Sequence, residues 1–190
     1  MRLNNDNLMI TAKKEIRKET KAAVLALTAE QKNAQSQTLC ERLQALIAER
    51  KPRVVALFSP LPDEIDIAPL ADRLECRVVM PRVRDGADGE PDMEFFDYAP
   101  QTMASGAYGI TEPQAGEPCR AEDIDLMVVP GVAFSVDGVR LGRGKGYYDR
   151  YLSRKVFRAY CVGVCYACQL RDDIPSEPHD KRVNLVISPK

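Results

Sequence analysis

A three-layer α/β domain, with a largely parallel sheet flanked by helices in a Rossmann-like arrangement, is what this sequence predicts over residues 1–190. Three observations point there. Nearly continuous runs of Val, Leu and Ile recur along the chain, and strands of that kind are covered on both faces. Two segments near the N-terminus carry apolar residues at helical spacing. A glycine- and cation-rich segment, "RLGRGKG", stands between an apolar run and a helical pattern, the place where open α/β sheets bind ligands. A chain of 190 residues suits one domain with a full hydrophobic core.

The first helix is expected from about Thr11 to Leu27, with Ile16, Ala23, Val24 and Leu27 on one side. Thr28 with Gln31 makes a capping-box pattern opening a second helix, whose apolar stripe is Leu39, Leu43, Leu46 and Ile47. This helical segment, about 11–50, is expected to pack on the α/β core. "RVVALFSP" reads as a buried strand ended by proline, and "LPDEIDIAPLADRL" as a loop entering a short helix. "CRVVMP" is a second strand and "MEFFDY" a third, with alternation. "DGADGEPD" between them is a turn or mobile loop. "DLMVVP", "AYCVGV" and "VNLVIS" are the fourth, fifth and sixth strands, and "YYDRYL" after the glycine segment reads as a helix.

The formal net charge is −1, so a global nucleic-acid or membrane partner is not indicated and any basic site must be local. No run approaches the roughly 20 apolar residues of a membrane span. The N-terminus "MRLNNDNLMITAKKEIRK" lacks the apolar region of a secretory signal. Six scattered cysteines suit reduced thiols. The expectation is a cytoplasmic monomer. Cys161, Cys165 and Cys168 are loosely clustered, but a zinc site would lack an evident fourth ligand. In an apolar strand Cys161 and Cys165 behave as small hydrophobes.

Successive N–H groups in a glycine loop converge on an anion, and a following helix start adds to the field. Arg143 and Lys145 add full charges, which together suit a polyphosphate. The known phosphate motifs do not match. Val139 stands where a P-loop has its first glycine and Gly146 where it has Ser or Thr. Gly142, Gly144 and Gly146 give G-x-G-x-G, not the dinucleotide fingerprint. A tight surface turn with solvated cations remains the plain alternative.

"VVPGVAFSVDGVRLGRGKGYYDRYL" closely resembles the signature of the 5-formyltetrahydrofolate cyclo-ligase (5,10-methenyltetrahydrofolate synthetase) family. "KKEIR", "SPLPDEIDIAPL", "MPRV", "MEFF", "YGITEP" and "IPSEPHDKRVNLVIS" resemble further segments of that family, in order. The resemblance implies conversion of 5-formyltetrahydrofolate to 5,10-methenyltetrahydrofolate with ATP and Mg²⁺, and no nucleic-acid or membrane partner. Ser135 and Asn184 stand where aspartate is usual in the family, and Cys165 and Cys168 where alanine and an aromatic are; Cys168 could border the folate pocket.

By that resemblance Lys145 and Arg143 are catalytic contacts to the ATP phosphates. Arg140, Leu141, Gly142, Gly144 and Gly146 belong to the same ATP-binding loop. Lys13 and Arg17, an i, i+4 pair on one helix face, are carried over as ATP contacts. Tyr147 lines the folate, and Tyr148 borders ATP or packs inward. Glu64 binds the pterin edge, where a carboxylate accepts paired hydrogen bonds; Ser59 and Leu61 are neighbouring folate contacts. Asp149 and Asp180 are the candidate Mg²⁺ ligands, since one or two carboxylates with phosphate oxygens and waters suit that ion. His179, the only histidine, is a candidate orienting partner for Asp180 and not a general base. Two other readings stand beside this one: a different phosphoryl-transfer enzyme acting on another small amide, and a non-catalytic module binding nucleotide or RNA through the basic loop.

Overall fold

The computed structural model describes residues 2–85, 89, 91–106, 109–177 and 180–189. Helix α1 spans Arg2–Leu25 and α2 spans Ala29–Arg50. No glycine or proline interrupts the first 27 residues, so α1 runs on past its buried stripe. Leu8 and Ile10 are exposed there, and this is why apolar periodicity places the start near Thr11 instead. The capping box at Thr28 is present, with both the Gln31 N–H and the Gln31 side chain engaged. Lys51 closes α2 in the left-handed region, its N–H donating to the Ile47 carbonyl, and Pro52 follows.

The main sheet has six strands: β1 (Val54–Ala56), β2 (Arg77–Asp85), β3 (Pro91–Asp97), β6 (Leu126–Pro130), β9 (Tyr160–Val164) and β10 (Leu185–Ile187). Two small hairpins lie outside it: β4 (Met103–Ser105) with β5 (Thr111–Pro113), and β7 (Ala133–Phe134) with β8 (Arg140–Leu141). The sheet order is β10–β9–β6–β1–β2–β3, parallel throughout except that β2 and β3 form an antiparallel pair. The sheet is thus mixed, with its one reversed strand at an edge. The segment quoted above as a turn or mobile loop joins β2 to β3; residues 86–88 and 90 within it lie outside the described residues.

Alternate residues of the strands enter two cores, as the pleat requires. Val55, Leu126, Val128 and Val162 pack with Leu39, Leu43 and Ile47 of α2 on one face. Ala56, Met127, Val129 and Cys161 pack with Phe95, Phe134 and Tyr151 on the other, under the short helix α3 (Tyr147–Leu152). Helix α2 covers one face of the sheet and the short α3 lies on the other. Helix α1 instead crosses the β7–β8 hairpin, where Ile16 meets Ala133 and Leu141, and the 3-10 turn at Ala167–Gln169. This carries the N-terminal helix to the carboxyl ends of the strands.

The chain winds outward from β1 to β3, returns to β6 beside β1, and winds the other way to β10. The strand order therefore reverses between β1 and β6. A crevice opens beyond the carboxyl ends of two such strands, and ligands of open α/β sheets bind there.

Candidate active site

The glycine loop leaves β8 at Leu141 and enters α3 at Tyr147, directly over that crevice. Gly144 (φ 92°) and Gly146 (φ 78°) are left-handed, a conformation that side-chain-bearing residues rarely adopt. A Cβ on Gly142 would stand 2.9 Å from Arg140 Nη1. Arg140 lies beneath the loop, its side chain only 4% exposed. It donates to the Pro130 carbonyl at 3.1 Å and to Asp149 Oδ1 at 3.0 Å, so it staples the loop to the end of β6 and the start of α3. Helix α3 has six residues, too few to supply the helix-end field that sequence alone suggests. Backbone N–H groups and side-chain cations are what the loop offers an anion.

Two cavities share this loop as a wall. The first, about 360 Å³, is lined by Phe58, Leu61, Pro81, Val83, Met93 and Ile110, and closed on the loop side by Arg143, Lys145, Tyr147 and Tyr148. Ser59 and Glu64 also line it. The second, about 640 Å³, is lined by Lys13, Arg17, Arg150, Arg154, Glu177 and Asp180. Arg140, Gly142, Gly144, Gly146 and Asp149 line both. Leu141 lines the second alone.

Charge pairs hold these walls. Lys13 Nζ lies 2.6 Å from both Glu177 Oε2 and Asp180 Oδ2. Burial alone would lower its pKa; hydrogen bonds and charges from Asp180 and Glu177 outweigh that and raise it above the ordinary lysine value. Arg143 donates through Nη1 and Nη2 to Asp63 at 3.2 and 2.5 Å, and through Nε to Glu64 Oε1 at 3.0 Å. Burial would raise the Asp63 pKa, but Arg143 holds it below the ordinary aspartate value. Glu64 is nearly buried, and its Oε2 also accepts the Leu61 N–H at 3.0 Å. Arg17 donates Nε–H to the Gly142 carbonyl at 2.8 Å. Burial pushes the Tyr148 phenol well above its usual pKa, helped by the Glu64 charge and opposed by Arg140. Lys145 is exposed and makes no ion pair among the described residues.

Every sequence-predicted site residue that the structure describes therefore reaches one of these two cavities. His179 lies outside the described residues. Cys168 lines neither cavity and packs against the α2 side of the core, away from the pocket it could have bordered. Burial pushes the Cys161 and Cys165 thiols up to about 12, and all six cysteines are free. Ser135 accepts the Val139 N–H and Asn184 Oδ1 accepts the Cys161 N–H, so each supplies the acceptor that an aspartate would. Sequence reasoning missed Asp63 and Glu177, the partners of Arg143 and Lys13. It also missed Glu112, which is 4% exposed on the first cavity and accepts the Val83 N–H at 3.3 Å. Only the adjacency of Asp63 to Glu64 was a usable signal.

Two cavities that share one wall at the switch point of an α/β sheet stand where proteins of this fold class bind their ligands. A sequence profile of the 5-formyltetrahydrofolate cyclo-ligase family matches residues 9–189, and the chain belongs to that family. A 5-formyltetrahydrofolate cyclo-ligase of Mycolicibacterium smegmatis is 35% identical over 145 residues, covering 73% of this chain and 74% of its own. The Escherichia coli K12 relative of the same name is 30% identical over 86% of this chain and 93% of its own. Among solved structures, 5,10-methenyltetrahydrofolate synthetase of Aquifex aeolicus superposes with a TM-score of 0.82 at 34% identity, covering 94% of this chain and 90% of that one. The Mycoplasma pneumoniae synthetase gives 0.75 at 26% identity, covering 94% and 99%. The two names state the two ends of one reaction, and the chain is an enzyme of the ligase class in folate one-carbon metabolism. No helix among the described residues is long and apolar enough to cross a membrane.

Proposed function

We propose that this enzyme converts 5-formyltetrahydrofolate to 5,10-methenyltetrahydrofolate with ATP and Mg²⁺. The observation that carries the mechanism is the shared wall: one glycine loop faces an apolar cavity on one side and a charged cavity on the other. A formyl amide oxygen is a poor leaving group. Its attack on the γ-phosphorus releases ADP and makes it a good one. N10 then attacks the formyl carbon and loses its proton, and the C–O bond breaks with its electron pair leaving on phosphate. No protein nucleophile is needed. The protein's part is to hold two substrates in line, keep water out and stabilise charge on the transferring group.

The folate occupies the apolar cavity, with Glu64 accepting from the pterin edge, Ser59 and Leu61 beside it and Tyr147 along the ring. ATP occupies the charged cavity. Its phosphates meet the N–H groups of Gly142, Gly144 and Gly146, with Lys13 and Arg17 on the α1 side. Lys145 and Arg143 stand on the folate side of the loop, where the phosphoryl group arrives. Arg140, turned inward, fixes the loop. Asp149 and Asp180 offer hard carboxylate oxygens on the ATP cavity. One or two carboxylates, with phosphate oxygens and waters, suit Mg²⁺. Mg²⁺ held there would neutralise charge on the phosphates. Six reduced cysteines fit a cytoplasmic location.

The test is product absorbance of methenyltetrahydrofolate with ATP and Mg²⁺ supplied or withheld. Product is expected only with both. Product without ATP, or ATP hydrolysis indifferent to 5-formyltetrahydrofolate, overturns the reading.

A further inference from the structure

A larger cavity, of about 750 Å³, lies beside the apolar one. Asn33, Ala68, Pro100 and Thr111 line it and are exposed, so solvent reaches it. Ser59, Leu61, Glu64 and Ile110 line both cavities and form the partition between them. That partition comes from two segments, the loop after β1 and the tip of the β4–β5 hairpin. Ser59 joins them, its Oγ donating to the Thr111 carbonyl at 2.6 Å.

The hairpin is in turn fixed to the sheet. β1 pairs with β2 only as far as Val79. Further along β2, β5 takes up the contact. Glu112 Oε1 accepts the Val83 N–H at 3.3 Å, and Arg82 Nη1 donates to the Pro113 carbonyl at 3.3 Å. Glu112 is 4% exposed and reaches back along the hairpin to Gly106, where a Cβ would collide with its Oε2. Glycine at 106 and the carboxylate at 112 are thus fitted to each other, and through them the hairpin tip is set against β2.

The reaction proposed above gives the partition a role. Once the formyl oxygen carries phosphate, the formyl carbon is electrophilic, and water competes with N10 for it. Water adding there loses its protons to solvent and leaves its oxygen on carbon. The bond from carbon to the old oxygen breaks, its electron pair leaving on phosphate. The outcome is 5-formyltetrahydrofolate regenerated and one ATP hydrolysed. We propose that Ser59 and Glu112 are positioning residues that hold this partition closed against water, and so couple ATP use to ring closure. The proposal rests on the function above. Neither residue lines the charged cavity, so KM for ATP should be the same without them.

The test is turnover of the full chain in water enriched in heavy oxygen, with ADP, methenyl product and label in recovered 5-formyltetrahydrofolate measured together. The parent should release one ADP per methenyl formed. Ser59→Ala removes one hydrogen bond, so the uncoupled fraction of turnovers should rise about two- to tenfold. Glu112→Ala should raise it at least as far. So should Gly106→Ala, which displaces the Glu112 carboxylate without removing it. Glu112→Gln, which keeps an acceptor for the Val83 N–H, should raise it less. The label should enter the formyl group. Label in phosphate instead would put the water at the γ-phosphorus and overturn the proposal. One ADP per methenyl in every variant overturns it too, even with a raised KM for 5-formyltetrahydrofolate, because that would make Ser59 and Glu112 binding contacts only. If the hairpin variants melt early, Ser59→Ala, at a half-buried position, decides alone. Failure of the function itself is distinct: a parent that forms no methenyl product overturns that reading, and this one with it.

Discussion

On one side of the glycine loop the walls come from strands and the segments next to them, and are mostly apolar. On the other they come from α1, from α3 and the residues after it, and from the segment before the last strand, and are mostly charged. Phe58, Pro81, Val83 and Met93 belong to the sheet or its immediate continuation, so the apolar cavity is rigid because the core is. The charged cavity depends on pairs such as Lys13 with Asp180, 167 residues apart in sequence. The lesson is a division of labour among cations. Lys13, Arg140 and Arg143 are each held by carboxylates, and so carry structure as well as charge. Lys145 is held by none among the described residues, and its charge is available to a ligand.

That contrast breaks first at Lys145. Lys145→Ala should lower kcat by about 10²–10³, roughly 2.7–4 kcal/mol of transition-state stabilisation, with an unchanged melting temperature. Near-normal turnover at saturating and limiting ATP would remove Lys145 from the chemistry; a large loss of Tm would make it structural after all.

Asp149 should behave oppositely, failing in both stability and activity. Removing it leaves Arg140 charged and buried, which costs about 2–3 kcal/mol, below the usual 3–5 because Asp149 is partly solvated. Asp149→Asn and Asp180→Asn should each raise the Mg²⁺ requirement. Their double variant should be little worse in turnover than the more damaged single, since residues sharing one ion are not additive. A double-mutant cycle run against Mg²⁺ concentration checks this; strictly additive effects with unaltered metal dependence would separate the two aspartates.

The smallest effect sharpens the comparison at Lys13. Its folded pKa is raised, so its contribution to stability is fully present below the unfolded value near 10.5 and is lost as pH rises through the folded value. Lys13→Met should therefore be less stable than the parent by about 1–2 kcal/mol at neutral pH, and the gap should close in strongly alkaline solution. Denaturant melts of both proteins from pH 8 upward measure it. A gap that stays constant with pH would assign the loss to packing instead of charge.

Much of this was readable before any coordinates. The capping box at Thr28, the six sheet strands and the helix after the glycine loop depend on local patterns: side-chain capping, strand-length apolar runs, glycine before a turn. The four hairpin strands were not readable, because segments of two and three residues are too short for period-two alternation to register. Nor did composition tell that β3 runs antiparallel; its alternation suits a half-covered edge, and the direction follows from the tight connection to β2.

The glycine loop was legible because it is contiguous. Left-handed backbone at Gly144 and Gly146 and clustered cations must be written in adjacent residues. What α1 does was not. A solvated basic face and a binding face have the same spacing, and only the docking of α1 across the β7–β8 hairpin sets Lys13 against Glu177 and Asp180 and Arg17 against Gly142. The sequence by itself determined the two long helices, the six strands of the main sheet, the strand-to-loop-to-helix setting of the glycine loop and the chemistry it carries, since each is a short-range property of the chain. Tertiary structure alone decided which carboxylate neutralises which cation, that the loop divides two cavities, and that the Thr20 hydroxyl lies buried without a partner, because those are distances between segments that sequence spacing does not measure.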